Sequence, residues 1–136
     1  MTSALRVKII SPGTTYVGQQ GFTYQAGVSR DTVGATAVCM NVLPMPHGAR
    51  ARPHYHKDID TIAYLLEGHC AVYYGDRLEH RIDVSAGEQV FMPRDVPHAP
   101  LNDSGAACTW IVVHSSGSDQ DDIVMTPELE RFLPAR

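Results

Sequence analysis

Short runs of apolar and β-branched residues alternate with clusters of glycine, proline, aspartate and serine along most of the chain. Runs of this length with interleaved polar residues are typical of strands, and the clusters between them have the composition of turns. The pattern predicts strands at Val33–Leu43, Ala51–His56, Thr61–Leu66, His69–Tyr74, Leu78–Val84, Gln89–Met92 and Cys108–His114.

So many short strands in one small domain would leave open edges unless the sheet closes on itself. The length of 136 residues is that of one domain with a sizeable core. We therefore expect an all-β fold, an antiparallel barrel of about six to eight strands. It should form a single domain over residues 1–136, with the barrel core at about 33–114.

The end of the chain carries the one clear helix signal. Thr126 and Pro127 have the character of a cap and a first helical residue, and apolar residues follow at helical spacing. The preceding residues 115–122 are small, polar and acidic, which is typical of a mobile linker. Residues 115–136 are thus predicted to form a linker and a short C-terminal helix on the outside of the barrel.

Charge and apolar content exclude several classes of protein. The formal net charge is −4, and acidic and basic residues are spread along the chain, so no nucleic-acid partner is expected. Met1–Ile10 has no apolar run of the length that a secretory signal needs, and no segment is apolar enough to span a membrane. We expect a cytoplasmic protein in which Cys39, Cys70 and Cys108 are reduced core thiols.

The first candidate site is the pair His54 and His56. Because the two residues lie two positions apart in a predicted strand, their imidazoles should share one face and offer two nitrogen ligands to a metal ion. Such a pair also occurs at exposed edges and among core histidines. Its significance therefore depends on the residues around it.

The pair belongs to two longer blocks with defined spacing. The blocks consist of Gly48, His54, His56, Asp60 and Gly68, followed by Gly87, Pro93, His98 and Asn102. They resemble the paired motifs of the cupin superfamily, Gly-x5-His-x-His-x(3 or 4)-Glu-x6-Gly and Gly-x5-Pro-x-Gly-x2-His-x3-Asn. The combination is a far stronger signal than any one of its elements.

The resemblance implies a small single-domain metal-binding cupin, with a double-stranded β-helix (jelly-roll) barrel like that of mannose-6-phosphate-isomerase-like and dioxygenase-like members. It implies one divalent metal ion per chain, held by His54, His56, His98 and Asp60. Iron or manganese is favoured, and zinc or nickel is possible, because imidazole and carboxylate ligands accept all four. The family also implies a homodimer, to which a strand at Ser3–Ile10 could contribute by crossing to the partner.

The chain departs from the motifs at two positions. Asp60 stands three residues after His56 where the family has glutamate, whereas Thr61 fits the distance to Gly68 better. Asp is one methylene shorter than Glu, so Asp60 could bind the metal directly or through water, or the site could consist of three histidines alone. Asp95 replaces a motif glycine at an expected turn, where Asp is better tolerated than most residues.

Further candidates follow from the alternation of faces along a strand. Residues an even number of positions apart have the same parity and share one face. Arg52 shares the parity of His54 and could bind a substrate at the barrel mouth, as could Arg50, although a solvated loop would also explain Arg50. Tyr64 shares the parity of Asp60 and is a candidate hydrogen-bond donor or acid, with core packing as the alternative. His114 and Trp110 share one face of the last strand, and we interpret that face as a buried wall, with pocket lining as the alternative.

The remaining polar residues are expected to lie on the surface or to support the barrel. His47, His69 and His80 lie in or beside predicted turns and have no partner at ligand spacing, so surface positions are expected. Asn102 is expected to bridge backbone groups of the barrel.

Three functions are compatible with this sequence. The first is an oxygen-dependent, dioxygenase-type metalloenzyme acting on a small oxygen-rich molecule. The second is a non-redox sugar isomerase or epimerase, in which Arg52 and Tyr64 would assist a metal ion in moving a proton. The third is a non-catalytic module that binds a metal or metabolite. A small-molecule substrate is the partner that the first two require.

Overall fold

A computed structural model describes residues 6–136. It contains eleven strands, more than the six to eight predicted, and two short helices. The strands are β1 (Thr15–Val17), β2 (Thr23–Val28), β3 (Cys39–Met45), β4 (His54–His56), β5 (Thr61–Glu67), β6 (His69–Tyr74), β7 (His80–Ser85), β8 (Gln89–Met92), β9 (His98–Leu101), β10 (Cys108–His114) and β11 (Ile123–Met125).

The strands form two antiparallel sheets that face each other across the core. One sheet has the order β1-β2-β3-β10-β5-β8, and the other has the order β11-β4-β9-β6-β7. Inward positions alternate with outward ones, so that Leu43 and Met45 of β3, Leu65 of β5 and Trp110 of β10 enter one buried cluster. The predicted antiparallel double-stranded β-helix is confirmed.

The agreement between predicted and observed strands is best in the central region. The bounds of β6, β8 and β10 are those predicted, whereas β1, β2, β9 and β11 were missed. Strands β1 and β11 have only three residues each, Gly27 interrupts β2, and Pro100 interrupts β9. The predicted strand at Val33 is also wrong at its start. There a short helix, α1 (Arg30–Val33), is capped by Ser29 and Thr32 and ends at Gly34, which has a φ of 77°.

The predicted short C-terminal helix is present as a 3₁₀ helix, Pro127–Phe132. Leu129 and Leu133 pack against the core cluster. Arg50, which the sequence left in a loop or at the barrel mouth, forms an ion pair with Glu130 and so ties this helix to the barrel. The side chain of Thr126 makes no capping hydrogen bond.

Residues 115–122, predicted to be a mobile linker, are packed against the barrel. Asp119 is buried and accepts a hydrogen bond of 2.7 Å from the Tyr16 hydroxyl. Asp121 forms an ion pair of 2.6 Å with Arg30. Two of the three acidic residues that indicated a solvated segment thus have partners on β1 and α1, which the linear pattern did not show. Burial raises the pKa of Asp119 above its ordinary value.

All three cysteines are buried and free, as predicted. Burial raises the pKa of Cys39 to about 11 and that of Cys70 to about 12, so both stay protonated thiols at neutral pH. The strand predicted at Ser3–Ile10 falls partly outside the described residues, and residues 6–10 belong to no strand. Within residues 6–136, no helix has the length and apolar character to cross a membrane.

Candidate metal centre

Strands β4 and β9 bring three histidines to one point inside the barrel. His54 and His98 are direct cross-strand partners, and His56 lies two residues further along β4 on the same face. The three side chains are buried, and one potential ligand atom from each lies within 4.8 Å of the other two. The predicted convergence of His54, His56 and His98 is therefore present in the fold.

Backbone carbonyls orient two of the three imidazoles. Nδ1 of His54 lies 2.7 Å from the carbonyl oxygen of Arg52, and Nδ1 of His98 lies 2.9 Å from that of Val96. A carbonyl can only accept, so each Nδ1 carries the proton, and Nε2 retains the free lone pair. Metal-binding histidines are commonly held in this way through their second nitrogen.

The protonation state of the cluster also suits a metal ion. Burial, with the neighbouring imidazoles, lowers the pKa of His56 to about 3, and burial lowers that of His98 to about 4. The pKa of His54 is lowered in the same direction by burial and by His98. All three rings are thus neutral at pH 7, which is the form that coordinates a divalent cation. The donor set fits one such ion.

A cavity of about 70 Å³ lies beside the cluster, between the two sheets. Its polar lining comprises the three histidines together with His114, Thr61, Gln20 and Tyr24. Its apolar lining comprises Phe22, Leu43, Ala63, Val72, Val90, Met92, Pro100, Trp110 and Val112. Among the described residues, no lysine, arginine, aspartate or glutamate lines this space. The cavity is small, largely apolar and uncharged.

The structure does not bring Asp60 into the cluster. Its side chain is 39% exposed, and its Oδ2 lies 3.2 Å from Nη2 of Arg94. Strand β5 begins at Thr61, whose side chain faces the cavity, so Asp60 falls just before the strand and points away. The guanidinium of Arg94 lowers the pKa of the Asp60 carboxyl. Among the described residues, the candidate ligand set is thus His54, His56 and His98, which is one of the alternatives that the sequence left open for Asp60.

The other motif positions serve the backbone around the site. Asp95 has a φ of 68°, as expected for a residue replacing glycine in a turn, and its Oδ1 accepts a hydrogen bond from the backbone N–H of Asp58. Asn102 is fully buried, and its amide donates to the carbonyls of Met45 and Ala106. These contacts agree with the bridging role predicted for Asn102.

Arg52 and Tyr64, the two proposed catalytic side chains, do not line the cavity. Arg52 is exposed and borders a separate surface groove beside the C-terminal helix. Since β4 begins only at His54, after Pro53, the parity of the histidines does not extend back to Arg52. Tyr64 is 36% exposed on the outer face of β5. His47, His69 and His80 are exposed, as expected.

His114 is the site residue that the sequence interpretation undervalued. It lies at the end of β10, its ring centroid is 4.6 Å from that of His56, and its side chain lines the cavity with Trp110. The sequence analysis had interpreted this face of β10 as a buried wall, with pocket lining as the alternative. Burial lowers the pKa of His114 to about 4, so its ring is also neutral at pH 7.

Comparison of the sequence with known families gives one match. The family is that of the Cupin domain, and its profile matches residues 41–114, which is more than half of the chain. No curated protein matches the sequence significantly.

Solved structures with the same fold include proteins described by different activities. A predicted oxalate decarboxylase from Thermotoga maritima is 17% identical, with a TM-score of 0.65, and the match covers 79% of this chain and 93% of that one. An oxalate oxidase in complex with the substrate analogue glycolate is 22% identical, with a TM-score of 0.68 and coverage of 92% and 65%. A putative sugar phosphate isomerase from Acidithiobacillus ferrooxidans is 18% identical, with a TM-score of 0.60 and coverage of 75% and 66%. At these identities the likeness concerns the fold alone.

Proposed function

The chain belongs to the cupin domain family, and we propose that it is a metal-dependent enzyme acting on a small organic molecule inside its barrel. One observation carries the proposal, namely the convergence of three buried, neutral histidines at the wall of a cavity. Three protein ligands leave coordination positions open, as catalytic metal sites require. The likenesses to an oxalate decarboxylase, an oxalate oxidase and an isomerase support an enzymatic role without selecting the reaction.

Within this proposal, a dioxygenase-type oxidation is the favoured reaction. Iron or manganese held by His54, His56 and His98 would supply the electron-transfer chemistry that dioxygen requires. The non-redox alternative relied on Arg52 and Tyr64 to assist proton movement. Both side chains lie outside the cavity, so that alternative would need other residues to move the proton.

The residues of the chain itself would bind, orient and shield the reactants. The carbonyls of Arg52 and Val96 hold the ring planes of His54 and His98 in place before any ion binds. Apolar side chains such as those of Val72 and Val112 line the cavity beside the histidines and would limit the access of bulk water to them. The cavity volume of about 70 Å³ favours a small substrate.

Metal analysis and oxygen uptake together test this function. Protein purified without added metal should contain close to one iron or manganese per chain. Iron-loaded protein should consume dioxygen with a member of a panel of small diols, enols and hydroxy acids, and the His54→Ala, His56→Ala double variant should not. Activity retained with zinc under anaerobic conditions would instead support the isomerase class. Stabilisation by a panel member without product would support a binding module.

We also propose that the chain forms a homodimer through the outer face of the six-stranded sheet. Phe91, Ile62, Val113 and Met40 occupy adjacent register positions across β8, β5, β10 and β3. Phe91, Ile62 and Met40 are 61%, 48% and 45% exposed. No residue of this row is charged, so a second copy related by a twofold axis would meet apolar surface without like-charge repulsion.

A further inference from the structure

A group of buried polar atoms beside the three-histidine cluster has no hydrogen-bond partner. His114 is only 3% exposed, and neither of its ring nitrogens has a partner among residues 6–136. Oγ1 of Thr61, a residue that is 6% exposed, is in the same situation. The two residues are direct cross-strand partners on β10 and β5, and both line the cavity.

Unpaired buried groups of this kind are uncommon because folded proteins pair nearly all of their buried donors and acceptors. Leaving them unpaired costs stability, and apolar side chains of similar volume would fill the same space without that cost. The concentration of unpaired atoms on one wall of the cavity therefore indicates that their partner comes from outside the chain.

We propose that His114 and Thr61 form a hydrogen-bonding subsite for the polar end of a ligand whose other end binds at the three-histidine cluster. This inference rests on the proposed metal-dependent function. A neutral imidazole and a hydroxyl each offer one donor and at least one acceptor, which suits a hydroxyl or keto group. The ring centroids of His114 and His56 are 4.6 Å apart, so a group bound at His114 would lie next to the three-histidine cluster.

The uncharged lining of the cavity further restricts the class of ligand that it can bind. Because no lysine, arginine, aspartate or glutamate of residues 6–136 lines the cavity, these residues offer a ligand no counter-charge beyond the metal ion itself. A second negative charge, as in a phosphate ester or a dicarboxylate, would be desolvated without compensation. The subsite therefore selects small, neutral or singly charged molecules, such as monocarboxylic acids with a hydroxyl or keto group on the adjacent carbon.

Calorimetric titration of the manganese-loaded protein with three probes tests this assignment. Glycolate carries one negative charge and a hydroxyl, acetate has the same charge without the hydroxyl, and malonate carries a second charge. Glycolate should bind about fivefold more tightly than acetate, which is the gain from one neutral hydrogen bond. Malonate should bind more weakly than glycolate. His114→Phe should reduce the preference for glycolate to less than twofold while retaining one manganese per chain.

Matched variants separate the subsite from general effects on folding. Thr61→Val removes only the hydroxyl and should also reduce the preference, whereas His114→Gln keeps a donor and an acceptor and should restore part of it. His80→Phe alters an exposed histidine away from the cavity and should leave the preference unchanged. Equal affinity of wild-type protein for glycolate and acetate, including no measurable binding of either, would overturn the inference and indicate that ordered water satisfies these atoms. Loss of manganese from wild-type protein would instead contradict the metal-dependent function.

Discussion

His54 and His98 occupy directly opposed positions on paired strands, and the centroids of their rings lie 4.4 Å apart. Residues 44 positions apart in the chain are thereby placed as closely as ligands of one ion must be. The antiparallel pairing of β4 with β9 sets this distance, and backbone carbonyls two residues before each histidine hold the rings. The site is therefore largely formed before an ion binds.

Metal content should depend on the histidines and be independent of Asp60. The His54→Ala, His56→Ala double variant should lose essentially all bound metal because two of the three ligands are removed. Asp60→Ala should keep wild-type metal content, since the Asp60 carboxylate pairs with Arg94 outside the cluster. Elemental analysis of proteins purified in parallel provides the measurement. Substantial metal loss from Asp60→Ala would show that this carboxylate reaches the ion after all.

The metal-free protein should lose stability as the pH falls below about 6.5. In the folded chain the pKa values of His56, His98 and His114 are lowered to about 3, 4 and 4, whereas unfolded histidine titrates near 6.5. Between the lowered pKa values and pH 6.5 the unfolded state binds more protons than the folded state. The free energy of unfolding therefore rises with pH in this range, and the stabilisation is fully present only above pH 6.5. Each such histidine contributes up to about 1.4 kcal/mol per pH unit in this window.

Urea unfolding of metal-free protein at pH 7.5, 6.0 and 5.0 measures this dependence. His114→Phe should reduce the slope by about the contribution of one histidine, because one buried titrating group is removed. A free energy of unfolding that stays constant or increases between pH 6.5 and 5.0 would contradict the buried, neutral state of these rings.

The two motif glycines Gly68 and Gly87 should differ in their tolerance of alanine. Both have positive φ, of 85° and 92°, so alanine at either position should cost about 1–2 kcal/mol in backbone strain. A Cβ at Gly68 would also lie 2.8 Å from the carbonyl oxygen of Ala107, whereas a Cβ at Gly87 would meet no atom of the described part of the chain within 4 Å. Gly68→Ala should therefore lower the free energy of unfolding by about 1–3 kcal/mol more than Gly87→Ala, as measured in urea. Equal losses would argue against the close approach at Gly68.

The proposed dimer predicts a specific effect of charge on the outer sheet face. Ile62→Glu and Phe91→Glu should shift wild-type dimer to monomer in sedimentation velocity because each would place like charges opposite one another across a twofold interface. Phe132→Glu changes an exposed aromatic on the C-terminal helix and serves as the control, with no expected shift. A wild-type chain that sediments as a monomer would contradict the proposal.

Much of the candidate site could be read from local patterns. The two-residue spacing of His54 and His56 places both rings on one face in any strand. The spacing from Gly48 to Asn102 indicated a cupin, and the turn chemistry at Asp95 was correctly interpreted from residue type alone. These features depend on neighbours in the sequence, and for that reason no tertiary contact was needed to predict them.

The remaining features depended on where each strand begins and what it meets. The alternation of faces holds only within a strand, so it says nothing about residues before the first strand residue. Strand β4 begins at His54 and β5 at Thr61. Arg52 and Asp60 precede these two strands, respectively, and lie outside the cavity. The start of β5 also places the side chain of Thr61 inward, opposite His114. Only the packed structure shows that the ring nitrogens of His114 have no hydrogen-bond partner among the described residues. Sequence by itself determined the candidate ligand types and their local spacing. Only the tertiary structure decided which side chains share the cavity, because strand boundaries arise from hydrogen bonds between distant segments.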